Sequence, residues 1–265
     1  MSDGPEGAEP AELLEIAVEA AHAAGALLRE RFAAPRPEVQ SKSTPTDLVS
    51  EVDHEAERTI RDLLARRRPD DAILGEEGGG DDAVEGELRW VVDPLDGTVN
   101  FLFGIPHWSV SVGCEADDGA LAGVVFDPLR GETFTATRDG PAARDAEPVG
   151  GSTRTDLATA MVATGFAYDA RVRAAQAEVA ARVLPRARDL RRFGSAALDL
   201  AWTACGRYDA YYERGLAPWD LSAGALICRR AGLEVVELRP DGDLPGGLLV
   251  APAALSDPLY ELVGP

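Results

Sequence analysis

The sequence predicts an α/β protein in two parts, an α+β first half and an α/β second half. Three observations carry this. Two long amphipathic helical patterns open the chain, a series of short β-branched runs joined by tight turns follows, and from about residue 158 strand-like and helix-like segments alternate. The change of rhythm falls in a stretch rich in Gly, Asp, Ser and Thr near Ala142 to Thr155, so residues 1–145 and 146–265 are expected to form two subdomains. No internal repeat is present.

In order, Ala11 to Phe32 carries Leu13, Leu14, Ile16, Ala17, Ala20, Ala21, Ala24, Leu27 and Leu28 at helical spacing. Ala33 to Pro45 reads as an exposed loop, and Thr46 or Asp47 can cap a second helix running to about Arg68. Its closing Arg66, Arg67 and Arg68 suit the negative end of a helix dipole. Ala72 to Leu74 forms a short strand that runs into Gly75, Glu76, Glu77 and an acidic, glycine-rich loop as far as Gly86. His107 to Cys114, Leu121 to Phe126 and Thr133 to Thr137 predict antiparallel strands, with turns at Asp117-Asp118-Gly119 and Pro128 to Gly131. The second half predicts strands at Ala158–Thr164, Asp189–Arg192, Asp209–Tyr212, Glu234–Leu238 and Leu248–Ala251. Helices are predicted at Arg171–Val183, Ser195–Cys205, Leu221–Ala231 and Leu255–Leu262.

The chain is organised around Trp90 to Phe101, WVVDPLDGTVNF. An apolar run breaks at Asp93-Pro94 and passes through Asp96, Gly97 and Thr98, which reads as a buried strand ending in a polar turn. Pro94 is expected to stop the strand, while Gly97 permits a tight turn and a close approach of backbone to a ligand. Asp93 and Asp96 at this spacing could share divalent cations, with the Gly97 and Thr98 amides taking an anion that lies on them. Equally, the two aspartates could do no more than cap the turn. Two further acids share this ambiguity. Asp220, in Ala217-Pro218-Trp219-Asp220-Leu221, could be a helix N-cap or a third carboxylate aimed at the same cations. Glu213, at a strand end, could be a surface charge or an acceptor for a polyhydroxylated substrate.

The formal net charge of -20 excludes a surface built for nucleic acid or anionic membrane, which rewards clustered Lys and Arg. It is compatible with an anionic substrate where bound cations invert the local field. No run of about 18 apolar residues could span a bilayer, and the acidic start MSDGPEGAEPAELLE lacks a secretory pattern, which points to the cytoplasm. Cys114, Cys205 and Cys228 lack metal-ligand spacing and read as reduced core thiols. His22, His54 and His107 read as structural. The chain has no GxxxxGK[ST] nucleotide loop, no GxGxxG fingerprint, no HExxH and no GxSxG elbow.

Five motifs in order, Lys42–Asp53 (KSTPTDLVSEVD), Leu74–Glu77 (LGEE), Trp90–Phe101, Gly194–Ala197 (GSAA) and Asp209–Ala225 (DAYYERGLAPWDLSAGA), resemble those of the inositol monophosphatase family. That family belongs to a magnesium-dependent, lithium-sensitive phosphatase superfamily, and the resemblance covers Ala11 to about Leu262. It implies a layered α-β-α-β-α sandwich, a small phosphate monoester as substrate, two or three Mg2+ ions and a homodimer. By similarity Glu76, Asp93 and the Leu95 carbonyl would hold one ion, Asp93, Asp96 and Asp220 a second, and Glu76 a weaker third. Hard oxygen ligands suit magnesium. Thr98 and Asp53 would orient and deprotonate the attacking water, with Glu76 also counted in the catalytic set. The Gly97 and Thr98 amides would hold phosphate, and Asp96, Ala196 and Glu213 the alcohol. Lys42 would lie in a loop near the third ion, and Glu77 beside a metal ligand.

Within this resemblance inositol monophosphate is the first substrate expected and histidinol phosphate the alternative. A catalytically silent binding protein of the same fold would be expected to lose one of Glu76, Asp93, Asp96, Thr98 or Asp220, and all are present. The chain departs from the family pattern at Arg230-Ala231-Gly232-Leu233, where EAGG is usual, and mildly at Ser50, where threonine is commoner.

Overall fold

The computed structural model describes residues 9–34, 45–80 and 88–264. Lys42, most of the expected loop before Pro45 and the acidic run after Gly80 lie outside them, as do the side chains of Thr46, Asp47 and Ser50. Helix α1 (Pro10–Ala33) and helix α2 (Pro45–Arg67) form as the periodicity predicts. On α1 the buried face is largely alanine, so the helix lies close against the strands beneath it.

Those strands form an eight-stranded sheet. It contains β1 (Ala72–Gly75), β2 (Gly79–Gly80), β3 (Arg89–Asp96), β4 (Ser109–Ala116), β5 (Gly119–Asp127), β6 (Glu132–Thr137), β7 (Ala143–Arg144) and β8 (Glu147–Pro148). Their order is β2-β1-β3-β4-β5-β6-β7-β8, with only β1 and β3 parallel. Two features differ from the sequence reading. Strand β3 does not stop at Pro94 but runs on to Asp96, because the pairing with β4 shifts register between Asp93 and Asp96. A proline is tolerated where the ladder is already broken. A short helix α3 (Thr98–Phe103) then follows where only a turn was expected. The small β7 and β8, in the Gly- and Ser-rich stretch, are joined through Asp145 and Ala146, both at positive φ.

The second sheet has the order β10-β9-β11-β13-β12. Strands β9 (Met161–Thr164), β10 (Asp189–Arg191) and β11 (Ala210–Arg214) are parallel, while β12 (Glu234–Leu238) and β13 (Gly247–Ala251) pair antiparallel. Strands and helices alternate as expected from β9 to β12, and β12 and β13 follow one another without a helix as the sequence predicts; only β9, β10 and β11 are parallel. Helix α4 (Ala170–Val183) and helix α7 (Ala253–Val263) cover its outer face, and helix α5 (Ala196–Ala204) and helix α6 (Pro218–Arg230) lie between the two sheets. Three apolar clusters fill the spaces between the resulting five layers, which follow the order α-β-α-β-α.

Helix α6 sits unusually close to the first sheet. Gly113 of β4 and Gly123 of β5 face each other in register, and a Cβ on Gly123 would lie 2.8 Å from the backbone Cα of Ala223. The departure at Arg230 and Leu233 is absorbed locally: the Arg230 guanidinium donates to the Gly140 carbonyl at 2.6 Å, and Leu233 is buried in the middle core. Cys114, Cys205 and Cys228 are free, the first and last buried and Cys205 half-buried.

Candidate active site

The register shift in β3 sets the geometry. Past Pro94 the chain turns so that Leu95 N donates to Asp93 Oδ1 at 3.0 Å, and Gly97 takes φ 97°, a left-handed conformation that glycine adopts without strain. Asp93 and Asp96 are thereby both buried, at one end of the same strand. Asp220 arrives from the opposite side on the first turn of α6. The helix begins at Pro218, not at Leu221, so Asp220 is its third residue and not its N-cap; one carboxylate oxygen accepts the Ala217 amide at 2.7 Å. One oxygen each of Asp93, Asp96 and Asp220 lies within 4.8 Å of the others.

These three share a cleft of about 260 Å3 with Glu76, Leu95, Gly97, Thr98, Ala196 and Glu213. Arg192, Gly194, Phe166 to Tyr168, Arg214 to Ala217 and Trp219 complete its walls. Asp53 is not among the lining residues, although it is buried and senses Glu77 and Glu76. The resemblance links Asp53 with Thr98; here the Thr98 hydroxyl donates to the Leu95 carbonyl at 3.0 Å, and Asp53 Oδ1 has no hydrogen-bond partner.

The electrostatics are those of crowded, buried carboxyls. Burial first, then Asp96, Glu76 and Asp220, push the Asp93 carboxyl well above the ordinary carboxylate range. Burial and then Asp96 raise Asp220 to about 7, burial raises Glu76 to about 6, and burial with Glu77 and Glu76 raises Asp53 to about 8. A set of oxygen donors this close, buried and mutually repelling, fits a hard divalent cation.

Asp96 has support that the sequence reading missed. Ala196 N donates to its Oδ1 at 3.0 Å and Ala197 N to its Oδ2 at 2.9 Å, so the carboxylate satisfies the first free amides of α5. The Ser195 hydroxyl also donates to Oδ2, and Ser109 approaches it at 3.3 Å. Hydrogen bonds to a charged group contribute about 1.5–3 kcal/mol each. The Gly194–Ala197 motif was the available signal, but nothing local in it points to a carboxylate about a hundred residues earlier. On the far wall, Glu213 accepts the Tyr211 hydroxyl at 2.6 Å, and burial raises its carboxyl to about 7. It is therefore largely enclosed and not a surface charge.

The sequence profile of the inositol monophosphatase family matches residues 9–262. The chain belongs to that family. It is 46% identical over 225 residues to inositol-1-monophosphatase of Mycobacterium leprae, covering 82% of this chain and 77% of the relative. It is 40% identical over 221 residues to Nus factor SuhB of Escherichia coli K12, covering 83% of each. Among solved structures, Mycobacterium tuberculosis SuhB superposes with a TM-score of 0.83 at 38% identity, over 97% of both chains. As a family member, the chain has a shared ancestry behind its cleft.

Proposed function

We propose that the protein is a magnesium-dependent phosphatase that hydrolyses inositol monophosphate or a closely related small cyclitol or sugar phosphate. The observation that carries this is the meeting of Glu76, Asp93, Asp96 and Asp220 beside the Gly97-Thr98 backbone, in one cleft of a chain from this family. Family membership supports the phosphatase reaction and its metal dependence; the substrate, ion number and residue roles belong to the proposal.

Glu76, Asp93 and the Leu95 carbonyl would hold one Mg2+ and Asp93, Asp96 and Asp220 another, with a third on Glu76. Bound magnesium supplies positive charge where the transferred phosphoryl group develops negative charge, and acidifies water in its shell. Water would add to phosphorus as the bond to the alcohol oxygen breaks, and the departing alkoxide would take a proton from solvent water, so that inorganic phosphate and the alcohol are released. The Thr98 hydroxyl would orient the attacking water after leaving the Leu95 carbonyl and pass a proton toward Asp53, which does not itself line the cleft. The Gly97 and Thr98 amides bind phosphate oxygens, and Ser195 with the α5 amides fixes the direction of Asp96. Glu213, with one oxygen engaged by Tyr211, presents the other to a substrate hydroxyl. A buried carboxylate also suits an ammonium group, so histidinol phosphate is the second reading.

Members of this family are expected to pair. Exposed Val99, Phe103, Ile105 and Phe193 supply apolar surface near the cleft, and a homodimer that covers them would elute at twice the monomer mass. Among the described residues no helix is long and apolar enough to cross a membrane.

Phosphate release tests the reading. Inositol 1-phosphate, histidinol phosphate, fructose 1,6-bisphosphate and adenosine 3',5'-bisphosphate are each assayed with Mg2+, with EDTA and with added Li+. Mg2+-dependent, Li+-inhibited release from inositol 1-phosphate is expected. A preference for histidinol phosphate selects the second reading, and no release from any of the four refutes both.

A further inference from the structure

Glu57 lies one helical turn after Asp53 on α2 and is only 3% exposed, so a full carboxylate is buried behind the cleft. Its partners are specific. Oε2 accepts the Glu77 amide at 2.8 Å, Oε1 accepts the Gly78 amide at 3.0 Å, and the Arg61 guanidinium donates to Oε1 at 2.6 Å. Arg61 in turn donates to the Gly79 carbonyl at 2.7 Å. The turn between β1 and β2 is thus clamped onto α2 through its amides on one side and its carbonyl on the other. Space is reserved for this clamp. A Cβ on either Gly75 or Gly78 would lie 2.5 Å from Glu57 Oε1, and neither glycine has the positive φ that would explain it by backbone conformation.

Glu76 is the residue between these anchors. Its backbone N donates to the Val92 carbonyl at 3.3 Å, which ties it to β3, and the amide of the very next residue belongs to Glu57. We propose that Glu57 is a positioning residue for the metal-binding edge of the cleft: it fixes the β1–β2 turn so that Glu76 stands at a set distance from Asp53 on the helix and from Asp93 on the strand. This rests on the reading of Glu76 as a metal ligand. Glu57 touches neither ion nor substrate. It acts by holding a ligand's backbone, as hydrogen-bonded outer groups do in other metal sites. The pairing with Arg61 compensates the buried charge, so that removing either partner alone would leave the other unpaired.

Three variants separate positioning from plain structural support. Glu57→Gln keeps the size but turns an NH2 group toward a backbone amide. Gly78→Ala crowds the carboxylate without altering any charge. Arg61→Ala removes the lateral tie. Mg2+ affinity is measured by calorimetry and by the rise in Tm that Mg2+ produces, and turnover is followed as a function of Mg2+ concentration. For Glu57→Gln and Gly78→Ala we expect Mg2+ affinity to weaken about 10-fold, with the Mg2+ concentration for half-maximal turnover rising by the same factor. At saturating Mg2+, kcat should return to within about threefold of wild type, because the ligands themselves are intact. Arg61→Ala should show the same pattern, more weakly.

A fall in Tm with unchanged Mg2+ affinity in both Glu57→Gln and Gly78→Ala would overturn the proposal and leave Glu57 a structural residue. If Glu57→Gln does not fold, Gly78→Ala decides alone by the same criterion. If the wild-type protein itself takes up no Mg2+, the metal reading of the cleft fails and this proposal with it, a result told apart from the others because it needs no variant.

Discussion

Replacing Gly123 by alanine should loosen the site without touching a single acid. Neither Gly123 nor its partner Gly113 has a positive φ, so the backbone accepts alanine and only space opposes it. The added carbon would stand 2.8 Å from the Ala223 Cα, whereas carbon atoms settle at about 3.5–4.0 Å. That Cα cannot swing aside as a side chain can, so α6 must lift by roughly 1 Å. Asp220 lies three residues upstream on the same helix and moves with it, while Asp93 and Asp96 stay on β3. Functional groups tolerate about 0.5 Å of displacement, and 1 Å can cost about 100-fold in rate. Overpacking itself costs about 1–3 kcal/mol, enough to lower Tm by several degrees in a chain of this size. Gly113→Ala presses on the same helix, since its new carbon meets the Ser222 hydroxyl and lies 3.0 Å from the Ser222 Cβ, and it should act in the same direction. Differential scanning fluorimetry and the Mg2+ dependence of phosphate release read both effects. If Gly123→Ala lowers Tm but leaves kcat and Mg2+ half-saturation within twofold of wild type, the seat of α6 does not set Asp220.

Two more outcomes follow from the crowding of acids. Asp93→Asn should abolish turnover and the Mg2+-induced rise in Tm, yet raise Tm in EDTA at alkaline pH, where Asp93 would otherwise have to lose its proton beside Asp96, Glu76 and Asp220; a lower Tm there would contradict this. In the metal-free protein Glu76, Asp220 and Asp53 hold their protons up to about 6, 7 and 8, above the value near 4 of an unfolded carboxylate. Their contribution to stability is full below that unfolded value and lost as pH rises through the folded ones, so Tm in EDTA should fall from about pH 5 to 8. Mg2+ should flatten that slope, and a Tm in EDTA that climbs across the same range would refute the argument.

Much of this was legible in the sequence because it is periodic or contiguous. The alanine face of α1 and the alternation in β4 and β5 depend on residues a few positions apart. Asp93, Asp96, Gly97 and Thr98 sit in one stretch that announces a strand end. Other features depend on partners that no local pattern encodes. Strand β3 outlives Pro94 because β4 is out of register just there, and the role of Ser195 appears only when α5 is laid against Asp96, 99 positions away in sequence. Nothing in the sequence of α2 singles out Glu57, whose partners are backbone amides 20 and 21 positions later. The start of α6 was misplaced for a simpler reason: Pro218 is a favoured first helical residue, yet the neighbouring Asp220 is also a good cap, and the proline prevailed.

The stretch from Glu213 to Asp220 leaves the second sheet and ends against the first, so the carboxylate proposed to meet the alcohol and the one proposed to hold an ion lie seven positions apart in one short connection. Asp220 is pinned by the seat of its helix, and the connection itself is tied down: the Arg214 guanidinium donates to the Arg239, Pro245 and Val263 carbonyls, Gln176 donates to the Arg214 carbonyl, and Ser111 donates to the Trp219 carbonyl. A substitution that moves one end of this connection is therefore carried toward the other. A change of preferred alcohol that shifts Arg214 would be expected to change metal affinity with it.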